Sequence, residues 1–133
     1  MGYQAPVFEF SYPSDFNAFA EATYQFVAVK VGTAANTTGA GVGGAALQLP
    51  TAGGNIFGVL QNNPIIGEAG QVIVEGISQA QLSGATTIGQ LLMVDANGKF
   101  LPATTGNFAV AQALETGAVG DISTVLIRNF GKQ

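Results

Sequence analysis

The side chains of this 133-residue sequence best suited to moving a proton are eight carboxylates: Glu9, Asp15, Glu21, Glu68, Glu75, Asp95, Glu115 and Asp121. Histidine and cysteine are both absent. Their absence removes the Ser-His-Asp triad, Cys-His pairs, zinc deaminase chemistry and every metal site built on imidazole or thiolate. Glycoside hydrolysis needs only two carboxylates at a fixed separation. The acids here fall beside turns or on polar strand positions, and spacing singles out no pair.

Four short motifs come near known chemistry and stop short of it. Gly76-Ile77-Ser78-Gln79-Ala80 approaches the nucleophile elbow, but Ala80 stands where its second glycine belongs, and no base can activate Ser78. Gly39-Ala40-Gly41-Val42-Gly43-Gly44 fits G-x-G-x-x-G, a pattern that cradles pyrophosphate only between a strand and a helix N-terminus. A short apolar strand and Pro50 follow it instead. Asp95-Ala96-Asn97-Gly98 opens like a calcium loop but lacks the later ligands and the terminal Glu. Gly-x-x-Gly occurs at Gly67–Gly70 and Gly117–Gly120 without the helices and basic flanks of a nucleic-acid clamp. The expectation is a protein that is not an enzyme and takes no cofactor or metal.

The elements around these motifs are strands. Val27, Val29 and Val31 alternate with Gln25 and Lys30 in a half-buried pattern, and Ala46-Leu47-Gln48-Leu49 is a short strand closed by Pro50. Asn55-Ile56-Phe57-Gly58-Val59-Leu60-Gln61 leads through a Gly-rich turn to Gln71-Val72-Ile73-Val74-Glu75. Asn107-Phe108-Ala109-Val110-Ala111-Gln112 leads through another to Asp121-Ile122-Ser123-Thr124-Val125. This imperfect repeat predicts two similar strand pairs in one sheet system. Between the copies, Asn97-Gly98 joins two apolar runs, the strongest short hairpin signal, with positive φ expected at both residues. Gly32–Gly44 reads as a flexible surface loop.

Residues 1–22 differ from the rest. Phe8, Phe10 and Tyr12 alternate with polar residues, Pro13 breaks the run, and Ser14 can cap a short helix through Ala22 that places Phe16 and Phe19 on one face. We therefore expect an N-terminal arm over residues 1–22 and a single β domain over residues 23–133. Val7, Phe8, Phe10, Tyr12, Phe16 and Phe19 are candidate partner-binding residues, with packing on the arm's own domain as the alternative.

Only 9% of residues are charged, and the net charge is −4. An average soluble domain is about 25% charged, and a surface this poor in charge is weakly protected against association. The sequence thus expects an oligomer or a covering partner. Its four cations, Lys30, Lys99, Arg128 and Lys132, are scattered, which argues against nucleic acid. No apolar run is long enough for a membrane helix, and the first residues lack signal-peptide features, so synthesis in the cytoplasm as a soluble, non-membrane protein is expected.

From Tyr24 to Ile127 the order of motifs resembles the capsid decoration (head cement) proteins of tailed bacteriophages. The stretches that carry it are Gln25-Phe26-Val27-Ala28-Val29, Phe57-Gly58-Val59-Leu60-Gln61-Asn62, Gly67-Glu68-Ala69-Gly70-Gln71-Val72, Gly89-Gln90-Leu91-Leu92, Asp95-Ala96-Asn97-Gly98-Lys99, and Ala109-Val110-Ala111-Gln112-Ala113-Leu114 through Gly120-Asp121. The resemblance implies an all-β fold, a small β-barrel or sandwich-like domain. It also implies a homotrimer, or less often a dimer, that binds the major capsid protein on the outer surface of the expanded capsid and bridges coat subunits. The family has no catalytic residues to transfer. Two other roles fit the residues: a receptor- or sugar-binding knob of a fibre, and another phage head or tail component.

Overall fold

The computed structural model describes residues 7–11, 25–35, 45–62 and 69–133, and every statement below is made of these. They form ten strands and no helix. Strands β1 (Val7–Ser11), β2 (Ala28–Ala35), β3 (Ala45–Gln48), β4 (Gly58–Leu60) and β5 (Ala69–Ile73) close a barrel in the order β1-β3-β2-β4-β5. Strands β6 (Gly76–Gln81), β7 (Leu91–Val94), β8 (Phe100–Pro102), β9 (Phe108–Ala113) and β10 (Ile122–Lys132) form a second sheet in the order β6-β10-β9-β7-β8. All pairings are antiparallel except β1 with β3. The all-β expectation holds, as a barrel joined to a curled sheet.

The sheet curls far enough for its two edges to meet. Leu82, just past β6, forms a parallel bridge with Phe100 of β8, and the Ser83 N–H donates to the Phe100 carbonyl at 2.8 Å. An open edge would offer unpaired backbone groups to other chains, and this contact covers part of one.

Strands β2 and β4 are a wall shared by two cores. Successive strand side chains point to opposite faces. Val27, Val29 and Leu60 pack with Leu47 and Val72 inside the barrel, whereas Ala28 and Val59 join Ala80, Leu82, Leu92, Phe100, Ala113, Val125 and Ile127 under the sheet. All of these are essentially fully buried. The half-buried strand read from the Val27–Val31 alternation is therefore buried on both faces at its start, and Val31 is 39% exposed. The sequence disguised the second buried face because its β2 contribution is an alanine. The strand also runs further than expected: Gly32–Ala35 belong to β2 rather than to a loop, and residues 36–44 lie outside the described residues.

Polar groups seal the junction between barrel and sheet. Phe26 has φ of 68°, a left-handed conformation unusual for a bulky residue. It is pinned on both sides: its N–H donates to the Leu60 carbonyl at 2.7 Å, and its carbonyl accepts from the Gln81 N–H at 2.9 Å. Around it, Gln81 Nε2 donates to the Gln25 carbonyl at 2.7 Å, Gln25 Nε2 to the Gln61 carbonyl at 3.1 Å, and Gln61 Nε2 to Ser78 Oγ at 2.9 Å. Glutamines that look like surface polarity in the sequence are thus the stitching between the halves.

The Asn97-Gly98 hairpin lies where expected but is built differently. The Gly98 N–H donates to the Asp95 carbonyl at 3.0 Å, and Asp95 Oδ1 accepts from the Asn97 and Lys99 N–H groups at 2.9 and 3.0 Å. Gly98 has φ of +76°, while Asn97 is not in the left-handed region. This is the three-residue loop with one left-handed glycine, not the two-residue loop with two. A side chain at Gly98 would also strike the Ala28 carbonyl of the shared wall, and the Gly98 carbonyl accepts from the Ala28 N–H at 2.8 Å. The two copies of the imperfect repeat do become strand pairs, β4–β5 and β9–β10, but the first is in the barrel and the second in the sheet.

Candidate functional site

A second, tighter repeat lies at one end of the sheet. The segments Leu82–Gln90 and Ala113–Asp121 run antiparallel, centred on Thr86 and Gly117, which exchange N–H···O=C bonds at 2.9 and 3.1 Å. Every flanking bond then occurs twice. The Gly89 N–H donates to the Ala113 carbonyl and the Gly120 N–H to that of Leu82; the Ala113 N–H donates to Gln90 and the Leu82 N–H to Asp121. The Thr87 N–H is capped by Gln90 Oε1 at 3.0 Å, and the Ala118 N–H by Asp121 Oδ2 at 2.8 Å. Gly89 and Gly120 take φ of +85° and +88° at matching turn positions, with open space where a Cβ would lie.

A hydrogen-bonded antiparallel pair has a local two-fold axis perpendicular to its ribbon, so equivalent residues of the two turns project to the same side. Those residues are Ile88 and Val119, which are 65% and 67% exposed. Ala85, Thr87, Leu114, Thr116, Ala118 and Ile122 around them are also exposed. Among the residues whose side chains are described, six large hydrophobics are exposed: Val31 of the barrel, and Ile77, Ile88, Leu114, Val119 and Ile122 of the sheet half. The charged residues in the twin turns are Glu115 and Asp121, without any cation. Beneath them the hydroxyls of Ser83 and Thr86 are buried without a hydrogen-bond partner.

Midway along β10 lies a cleft of about 190 Å³. It opens where the β9–β10 register shifts between Ile127 and Gly131. It is lined by the aliphatic and aromatic residues Ile56, Phe57, Val74, Val110 and Ile127 together with Asn55, Glu75, Arg128 and Asn129, so that polar atoms supply much of its accessible wall. The Arg128 guanidinium lies over the Phe130 ring at 5.8 Å, a cation–π distance that holds it at the rim. Glu75 and Arg128 form no ion pair with described residues, and among these no group of three or more potential ligands is placed to hold a metal.

The residues expected to bind a partner fall in the first segment. Val7, Phe8 and Phe10 lie on β1, in register with Ile73, Val72 and Gly70 of β5, so their backbone is a barrel strand. Tyr12, Phe16, Phe19 and the short helix expected from Ser14 to Ala22 lie outside the described residues. Sequence reading missed the twin turns. Their signal is the matched pair Ile88-Gly89-Gln90-Leu91 and Val119-Gly120-Asp121-Ile122, a β-branched residue, a glycine, a capping side chain and an aliphatic.

This architecture, a closed five-stranded barrel sharing a wall with a curled five-stranded sheet, defines the class of fold. No protein-family model and no curated protein matches the sequence. Among solved structures, the fold is similar to that of the N base of the head fibre gp8.5 of bacteriophage phi29. The TM-score is 0.69 at 13% identity, over 93% of this chain and 94% of that one.

Proposed function

We propose that this chain is a structural component of a phage virion, decorating the outer surface of the expanded capsid, bridging coat subunits and acting as a homotrimer without catalysis. The observation that carries the reading is the fold likeness to a phage head-fibre base along nearly the whole of both chains. The order of strand and turn motifs supports it independently. So does a sheet half that leaves aliphatic side chains exposed on a low-charge surface. A decorating protein stabilises the state it binds by mass action, and linked contacts raise avidity by roughly 10²–10⁴. Val7, Phe8, Phe10, Tyr12, Phe16 and Phe19 serve this reading as capsid anchors.

The test is to mix purified protein with expanded capsids that lack it. Saturable binding with a gain in heat or chelator resistance is the expected outcome, and its absence would overturn the decoration role. A second reading, the base of a head fibre, is favoured by the phi29 neighbour being such a base. Copy counting by mass spectrometry of virions separates the two when the fibres are few, because decoration needs hundreds of copies.

A further inference from the structure

We infer that the open edge of β6 pairs with the same edge of a second copy, antiparallel about a two-fold axis at Ser78, so that two sheets become one. This contact goes beyond the oligomer proposed above. A two-fold does not close a trimer, and it links copies that belong to different oligomers.

The barrel is closed, so among the described strands only β6 and β8 are edges. β8 is protected: it has three residues, its Pro102 lacks an N–H, and the Phe100 carbonyl already accepts from the Ser83 and Gly84 N–H groups. β6 carries none of the usual edge defences. Its six residues, Gly76-Ile77-Ser78-Gln79-Ala80-Gln81, include no charge and no proline, and they run against β10 without a register shift. Ile77 is 62% exposed, and Gln79 is exposed beside it.

The ladder fixes where the backbone groups of β6 point. The Thr124 carbonyl accepts from the Leu114 N–H, so Thr124 turns its polar groups away from β6. Gln79 opposite Thr124, and Ile77 opposite Leu126, therefore direct their N–H and C=O groups off the free side of the strand. Gln81 has the same parity, and its N–H is taken by the Phe26 carbonyl. No described group pairs with the Ile77 N–H, the Ile77 carbonyl or the Gln79 N–H. The Gln79 carbonyl accepts from Ser78 Oγ at 2.8 Å and keeps a second lone pair.

These four groups complement their own duplicates. With Ser78 facing Ser78 of the second copy, Ile77 lies opposite Gln79 in a hydrogen-bonded pair, and the axis repeats that pair. All four groups are then satisfied, and no charge on β6 meets its like. Gln79 Nε2 donates to Thr124 Oγ1 at 3.2 Å, which holds its side chain in place before pairing. Residues 25 and 26 beside Gln81 stop the ladder at this length. A ladder so short is weak and acts between copies held close together.

The experiment uses the full chain, whose lack of cysteine lets introduced thiols report the pairing alone. Across the axis the Cα atoms of Ile77 and Gln79 are roughly 5.5 Å apart, within disulfide reach, whereas each residue lies beyond the ~7 Å limit from its own duplicate. An oxidised mixture of Ile77→Cys and Gln79→Cys should give disulfide dimers about tenfold faster than either variant alone. Gln79→Pro deletes an N–H that makes no bond within the molecule, and Ile77→Lys charges the edge. Each should melt cooperatively near the wild-type temperature and weaken self-association at millimolar concentration by roughly tenfold, read by sedimentation equilibrium. A mixture that cross-links no faster than its components would overturn the contact. So would self-association undiminished in both edge variants, which would belong to another surface, or a wild type still monomeric at millimolar concentration.

Discussion

The barrel and the sheet solve the same problem with different means. The barrel buries a few branched aliphatics, Val27, Val29, Leu47, Leu60 and Val72, inside a closed ring of strands. The sheet lines part of its inner face with alanines, Ala80, Ala111 and Ala113, and fills the remaining depth with Phe100, Leu82, Leu92 and the outside of the barrel wall. Small residues let two layers approach closely, so the sheet is shaped by what it covers. A closed barrel has no such dependence on a neighbour. The same contrast appears outside: the half that borrows its core also carries both twin turns, with Ile88 and Val119 exposed at their tips.

This difference can be broken at its strongest point first. Phe100→Ala should cost about 4 kcal/mol and Leu60→Ala about 3 kcal/mol, each leaving a cavity in one of the two cores. Because β2 and β4 serve both cores, each variant should still unfold in one transition when followed by two probes. Two separated denaturant transitions would show that the halves are independent. Gly98→Val should cost about 3 kcal/mol, since it adds a collision with the Ala28 carbonyl to a left-handed penalty of ~1–2 kcal/mol. Gly120→Val meets open space and should cost only that penalty; equal losses would mean that the hairpin does not press on the wall. Gln61→Leu removes the side-chain link to Ser78 across the junction, and a shift of about 1 kcal/mol in chemical denaturation is expected. The smallest effect has the opposite sign. Thr86→Val keeps the shape and deletes a buried unpartnered hydroxyl, so it should stabilise by roughly 1 kcal/mol. A loss of stability there would reveal a partner for Thr86 Oγ1.

Strand positions were legible where alternation or a continuous apolar run marks them, as for β3, β4, β5, β7 and β9. The Asn97-Gly98 signal located the β7–β8 turn although its loop type differed. What escaped is what depends on distant partners. Ala28 carries no hydrophobic alarm, yet it is fully buried because a sheet formed by residues 76–132 lies on it. Positive φ at Phe26 has no local signature and is imposed from both sides by Leu60 and Gln81. β10 looked complete by Val125 but continues to Lys132, its later part re-registered on β9 across a bulge. The candidate surface was readable in principle, because Gly89 and Gly120 each follow a β-branched residue and precede a capping side chain. The repeat of whole strand pairs, Phe57 with Phe108, is the looser of the two, and its copies lie in different sheets.

The shared wall also has a meaning in time. The strands of the barrel precede those of the sheet along the chain, and a polypeptide leaves the ribosome N-terminal end first. The barrel can therefore close during synthesis, while Ala28 and Val59 on its outer side still face water, until residues 76–132 arrive to cover them. The nascent first half is thus a folding template with an adhesive strip at Ala28 and Val59, and the second half is the segment that fits it.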